Sequence, residues 1–202
     1  MQSRSRHTAM ALREAFVQVL AERGWDALTV REVTLVAGTA LGSFYDYYAS
    51  KEDLARVTLH LRTKKLLGVL RKATSAQAGQ PAADIAVAAI EALLLAHRQH
   101  PSEWAAHYLL ERHFSGLAAY RQMVQRFVDA WAEGLRGATD LAPGFPVAQA
   151  ARVSQTIVYG LFTHAHLAEP GTPDHQRLRT ETCQAVTACL QQLNAAAAQQ
   201  RD

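Results

Sequence analysis

Residues 29–54 read TVREVTLVAGTALGSFYDYYASKEDL, and this stretch decides the fold. Thr29-Val-Arg-Glu32 is a capping box: the Thr29 hydroxyl can accept from the backbone N–H of Glu32 while the Glu32 carboxylate reaches back to the N–H of Thr29. A short helix is expected from there to about Val36. Gly38 follows at the C′ position, where a left-handed turn carries no Cβ penalty. A second short helix fits residues 40–47, lean in bulk at its start, with Phe44 placed to pack inward. Ser50-Lys-Glu-Asp53 is another N-terminal cap and opens a long helix through about Lys72. Helix, three-residue turn, helix is the arrangement in which a first helix braces on the sugar-phosphate backbone and a second enters the major groove. The same spacing serves an ordinary helical hairpin in a bundle, and geometry alone leaves both readings open.

Upstream, Leu12, Ala15, Phe16, Val19 and Leu20 recur at the spacing of an amphipathic helix, which Gly24 stops. Downstream, all six prolines lie after residue 80 and punctuate segments with helical periodicity, over about 82–98, 102–113, 116–137, 146–167 and 173–196. Pro81 and Pro173 suit first-turn positions, the latter after Thr172 as N-cap. The tail from Ala195 to Asp202 is expected to fray. No strand pattern stands out, so the fold class is all-α.

The 202 residues include only two cysteines, Cys183 and Cys189, six apart on one helix and therefore on different faces. They build no disulfide framework, and a reducing cytoplasm is the expected location. Arg13 and Glu14 interrupt the first apolar stretch, which reads as no signal peptide. The most apolar run, 85–96, contains Glu91 and falls well short of the ~20 residues that span a bilayer, so no membrane is expected among the partners. Residues 1–72 hold 12 Lys and Arg against 7 Asp and Glu, whereas 73–202 hold 9 against 11. The excess gathers at Arg62, Lys64, Lys65, Arg71 and Lys72. Such asymmetry fits an anion-facing front, nucleic acid being one candidate, and fits a solvated basic helix face as well.

The run from Ala15 to Leu54 resembles the DNA-binding domain of tetracycline-repressor (TetR) type regulators. The match rests on Ala15-Phe16, Gly24, Thr29-Val30-Arg31-Glu32-Val33, Ala37-Gly38, Gly42, Phe44-Tyr45 and Ser50-Lys51-Glu52-Asp53-Leu54, without gaps, and covers roughly residues 8–55. The resemblance implies a three-helix helix-turn-helix domain over 1–50, joined by a linking helix of about 51–72 to a ligand-binding and dimerisation domain over 51–202. It implies that Thr29 caps its helix at a phosphate, that Arg31 reaches a base edge, and that Leu41, Gly42 and Ser43 face the groove. It assigns Tyr45, Tyr47 and Lys51 to phosphates. Thr39-Ala40 stands where the family has Val-Ser, and Thr34 where it has Ala; Thr39 is expected to take over capping, and Leu41 or Thr39 to meet thymine methyls.

The resemblance further implies a homodimeric, cytoplasmic transcriptional regulator, a repressor released from a pseudo-palindromic double-stranded operator by an apolar small-molecule effector. The stretch from HPSEW to QRF looks faintly like regulators of fatty-acid metabolism, which points to an acyl thioester. Trp104, Tyr108, Phe127, Trp131, Tyr159 and Phe162 are candidate pocket walls, and plain core packing is the competing reading of each. Gly160, with Ala148, Ala151, Ile157 and Leu161, and the last helix through Leu178, Val186 and Leu190, are the expected dimer surface of the last two helices. His97 with His100 and His164 with His166 raise a histidine-based metal sensor or enzyme as the alternative. No carboxylate or Cys accompanies them at ligand spacing, no nucleophile elbow or phosphate loop is present, and neither metal, cofactor nor catalytic residue is expected.

Overall fold

The turn that sequence placed between two short helices lies between α2 (Val30–Val36) and α3 (Leu41–Tyr45) in the computed structural model of the chain, which describes residues 2–99, 101–114, 116–168 and 171–199. These two follow α1 (Gln2–Ala27); after them come α4 (Lys51–Ala76), α5 (Ala82–Arg98), α6 (Pro101–Phe114), α7 (Leu117–Arg136), α8 (Val147–Leu167) and α9 (His175–Gln199). Among the described residues there is no strand, and the class is all-α.

Two compact units divide the chain. One comprises residues 1–62 and 102–116, the other 63–101 and 117–202. In the first, Leu12, Phe16, Leu28, Val33, Phe44, Tyr48 and Leu54 form a core that Ala106 and Leu110 of α6 complete. In the second, α5, α7, α8 and α9 pack around Ile85, Ile90, Trp131, Leu135, Val158 and Phe162.

Several helix ends differ from expectation, each for a local reason. Gly24 takes a left-handed conformation at φ 75° and breaks the regular helix, but the chain re-enters helix and α1 reaches Ala27. Pro81 is the N-cap of α5 rather than its first helical residue; the Asp140 carboxylate accepts from the Ala82 N–H at 2.8 Å and does the capping from across the unit. At α9 the cap is Asp174, not Thr172: its carboxylate accepts from the N–H groups of Gln176 and Arg177, both at 3.0 Å. α9 continues through the alanines to Gln199, so residues 195–199 are helical rather than frayed, and the rest of that tail lies outside the described residues.

Candidate nucleic-acid interface

The capping box forms. Thr29 Oγ1 accepts from the Glu32 N–H at 3.2 Å, and a Glu32 carboxylate oxygen accepts from the Thr29 N–H at 3.3 Å. Arg23 adds an ion pair with Glu32 at 2.6 Å, which fixes the carboxylate from its other side. Ala37 closes α2, and Gly38 turns left-handed at φ 63°. Ser50 Oγ accepts from the Asp53 N–H at 3.2 Å while the Asp53 carboxylate accepts from the Ala49 N–H at 3.1 Å, a reciprocal pair of bonds that caps the start of α4.

α3 is five residues long, shorter than the 40–47 expected, because Asp46 and Tyr47 turn out of the helix. Its inward side is Phe44, wholly buried against Tyr45 and Tyr48. Its outward side is open: Leu41 is 48% exposed and Tyr45 59%, and Gly42 lies in open space. Arg31 and Thr29 are exposed on α2 and its cap, Ser43 is half-buried, and Tyr47 is half-buried against the core. Thr39 does not cap α3. Ala40 holds the N-cap with no side-chain bond, and the buried Thr39 Oγ1 has no hydrogen-bond partner.

Lys51 is engaged inside the unit. Its ammonium donates to the carbonyls of Trp25 at 3.3 Å and Leu28 at 3.0 Å and sits 4.6 Å from the Trp25 ring centroid. Two residues that pattern reading passed over hold the α2–α3 segment in place. Tyr48 donates to the Ala9 carbonyl at 3.2 Å and accepts from Arg13 at 3.0 Å, tying the end of the segment to α1. Trp25 stacks edge-on against Phe114 of α6, with ring centroids 4.4 Å apart. The signal for Tyr48 was its place four residues after Phe44; for Trp25 it was an aromatic directly after the helix-stopping glycine.

The six expected pocket walls fall in both units. Trp104 and Tyr108 are buried in the first, their ring centroids 6.4 Å apart, on the same face of α6 as His107 and Glu111. Arg62 joins them: its guanidinium donates to the Glu103 carbonyl at 2.9 Å, pairs with the Glu103 carboxylate, and lies 5.4 Å from the Trp104 ring centroid. Burial pulls Arg62 down to about 10. Burial, then the Arg62 charge, pulls His107 down to about 3. Arg62 is thus withdrawn from the basic cluster in which the sequence placed it, while Lys64, Lys65, Arg71 and Lys72 are exposed. In the second unit Phe127, Trp131 and Phe162 are buried, and Tyr159 is half-buried with its ring 6.5 Å from Tyr120. Trp131 donates from its indole to Gln155 at 3.2 Å.

The expected dimer residues separate. Ala151, Leu178, Val186 and Leu190 are consumed by the chain's own core, whereas Ala148 and Gly160 are exposed and Ile157 and Leu161 half-buried. Cys183 and Cys189 are free. His97 and His166 are buried with rings 5.4 Å apart, His164 is exposed, and His100 lies outside the described residues. Among the described residues no group of three or more His, Cys, Asp or Glu is placed to hold a metal, and no helix is long and apolar enough to cross a membrane.

Comparison with known proteins adds to this geometry. Residues 12–57 match the sequence model for bacterial regulatory proteins of the tetR family. No curated protein sequence matches the chain. Among solved structures, a TetR family transcription regulator from Marinobacter aquaeolei VT8 is 18% identical, with 93% of this chain and 98% of that one covered at a TM-score of 0.69. SmeT, the repressor of the Stenotrophomonas maltophilia multidrug efflux pump SmeDEF, is 18% identical over 89% of this chain and 88% of its own, at 0.71. The SmeT–triclosan complex gives 0.70 at the same identity over 90% of each chain. At these identities the likeness shows the fold.

Proposed function

Because residues 12–57 match the sequence model for bacterial regulatory proteins of the tetR family, we propose that the chain is a homodimeric, ligand-responsive transcriptional repressor that places α3 of each protomer in one major groove of a pseudo-palindromic operator. The observation that carries this reading is the two-sidedness of α3: Phe44 anchors it while Leu41, Gly42 and Tyr45 stand open beside an exposed Arg31. Arg31 reads a guanine edge, and Leu41 meets thymine methyls. Thr29, Ser43, Tyr45 and Tyr47 position the backbone through phosphates. Lys51 contributes its remaining N–H to a phosphate, two of its three being held by carbonyls.

The outer faces of α8 and α9, with Ala148 and Gly160, form the dimer contact, and domain assignment follows: DNA reading in the N-terminal helices, effector binding and dimerisation beyond the linking helix. The effector is an apolar small molecule. SmeT, which shares this fold, has been seen in complex with triclosan, and that supports a ligand-binding role for the helical remainder. Release from DNA requires that the effector bind two conformations with different affinity.

Fluorescence anisotropy of the protein on its own upstream DNA, at two salt concentrations and with non-specific competitor, tests the reading. Specific binding that weakens steeply with salt, at two protomers or a multiple of two per site, is expected. Equal binding to competitor, or an operator preference unchanged in Arg31→Ala, overturns the assignment.

A further inference from the structure

Lys64, Lys65, Arg71 and Lys72 are exposed and lie on the part of α4 that belongs to the second unit. Residues 64, 65, 68, 71 and 72 recur at helical spacing, so they share one outer face, with the exposed Gly68 between the two cation pairs. Other cations of the chain have acidic partners: Arg23 has Glu32, Arg62 has Glu103, Arg177 has Glu181 and Arg179 has Glu91. Among the described residues no hydrogen bond or ion pair engages these four. The neighbouring chain offers no partner either, because residues 54–83 contain no Asp or Glu. A helix face built only for solvent mixes its signs. This one carries a single sign and repels itself until an anion arrives.

Gly68 is an independent observation on the same face. Glycine is the poorest helix former after proline, and this one sits in the interior of a 26-residue helix. Gly134 has a reason in its own chain, since an added Cβ would stand 2.6 Å from Thr74 Cβ; at Gly68 an added Cβ meets nothing within 4 Å. Nothing in the chain itself requires that side chain to be absent. A bare backbone on an exposed face is what the close approach of a ligand calls for. The two cation pairs are seven residues apart, about 10 Å along the helix axis. Together they wall a notch whose floor is Gly68.

We propose that this face of α4 is a second, sequence-independent contact for duplex DNA. The helix crosses a minor groove with Gly68 over the groove, and the Lys64–Lys65 and Arg71–Lys72 pairs rest on the phosphates of its two rims. The groove is about 6 Å wide, and long side chains rooted about 10 Å apart straddle it. Duplex DNA offers one negative charge per ~1.7 Å of its axis, the density that four unneutralised cations match. A bilayer surface fits less well: helices that lie on membranes bring Trp, Phe or Leu to the lipid, and positions 64, 65, 68, 71 and 72 carry none. Contacts to phosphates add affinity and no sequence information. The inference goes beyond the reading of an operator by α3 and stands or falls apart from it.

The test is anisotropy of the full-length protein on a fluorescent random-sequence duplex of about 40 base pairs, titrated from 50 to 200 mM salt, the range over which phosphate contacts are read out. A variant with Lys64, Lys65, Arg71 and Lys72 all changed to Gln should bind at least tenfold more weakly at 50 mM. Its plot of log affinity against log salt should be shallower by at least about 1.8 per protomer, two contacts at about 0.9 each. Gly68→Leu keeps every charge and fills the notch; it should weaken duplex binding at least threefold while melting no lower than the wild type. Circular dichroism checks that both variants keep their helix content. A smaller change in slope, or wild-type affinity in Gly68→Leu, overturns the proposal. So does an equal loss on single-stranded DNA of the same sequence, which has no second rim to straddle. Binding to phosphatidylserine vesicles that vanishes in the four-Gln variant, with duplex binding unchanged, assigns the face to a membrane instead and overturns it as well. Preference for an operator over the random duplex should survive the four-Gln change. A protein without that preference that still loses duplex affinity in the variant keeps this proposal and loses the reading of α3, and the reverse pattern does the opposite.

Discussion

The Lys51 ammonium lies over the Trp25 indole, 4.6 Å from its centroid, and bonds both the Trp25 and Leu28 carbonyls. One cation at the start of α4 therefore closes the open carbonyl end of α1, where the chain has just been broken at Gly24. Hydrogen bonds to a charged donor are worth about 1.5–3 kcal/mol net. Lys51→Met, which keeps the stem and removes the charge, should destabilise the protein by about 2 kcal/mol in urea unfolding, and Lys51→Arg should recover part of the loss.

Thr39 carries a buried hydroxyl with no partner. Val has the same shape without the polar atom, and replacing an unsatisfied group with an apolar one removes a desolvation cost of about 1–3 kcal/mol. Thr39→Val should raise the unfolding free energy by about 1 kcal/mol. An operator affinity that stays at the wild-type value in that variant would show that the hydroxyl makes no contact with DNA.

Gly134 and Gly160 should respond to Ala in opposite ways. A Cβ on Gly134 would stand 2.6 Å from Thr74 Cβ, so α7 and the end of α4 pack as closely as they do only because the side chain is absent. Overpacking of this kind costs about 1–3 kcal/mol, and a lowered melting temperature is the readout. A Cβ on Gly160 meets nothing within 4 Å in its own chain, so Gly160→Ala should stabilise α8 by up to about 1 kcal/mol. If α8 mates with its copy through that face, the same change raises the dimer dissociation constant in analytical ultracentrifugation.

His107 and His166 set an acid limit. Burial is the main cause for both, followed by the charge of Arg62 for His107 and of His175 for His166; their values fall to about 3 and about 4, below the ordinary 6.5. Between those values and 6.5 the unfolded chain binds protons that the folded chain does not, so stability is full above 6.5 and is lost as pH falls toward 4. Each proton contributes ~1.4 kcal/mol per pH unit. The slope of unfolding free energy against pH should approach about 2.7 kcal/mol per unit near pH 5 from these two groups. His107→Gln should halve it.

Much of this was legible in the sequence, because the features concerned are local. The Thr29–Glu32 box, the Gly38 turn, the Ser50 cap and the inward Phe44 each follow from residues within four positions of one another. What was not legible depends on partners distant in the chain. Nothing near Pro81 announces that Asp140 caps α5, and nothing near Lys51 announces the Trp25 and Leu28 carbonyls 26 and 23 residues away. Arg62 counted as one of five cations between residues 62 and 72 until its pairing with Glu103, 41 residues on, set it apart. Leu178, Val186 and Leu190 illustrate a further limit: an apolar stripe states that a helix face is covered, not whether its own chain or a copy covers it.

The N-terminal unit is assembled from two pieces of chain, 1–62 and 102–116. Its core contains Ala106 and Leu110, and Phe114 covers Trp25. A ribosome therefore releases α2 and α3 well before the wall that closes their core, and the stretch 63–101 must be made before that wall can dock. A message truncated within that stretch yields a half-built head with an open apolar side. The order of synthesis thus ties completion of the core around Phe44 to the arrival of α6.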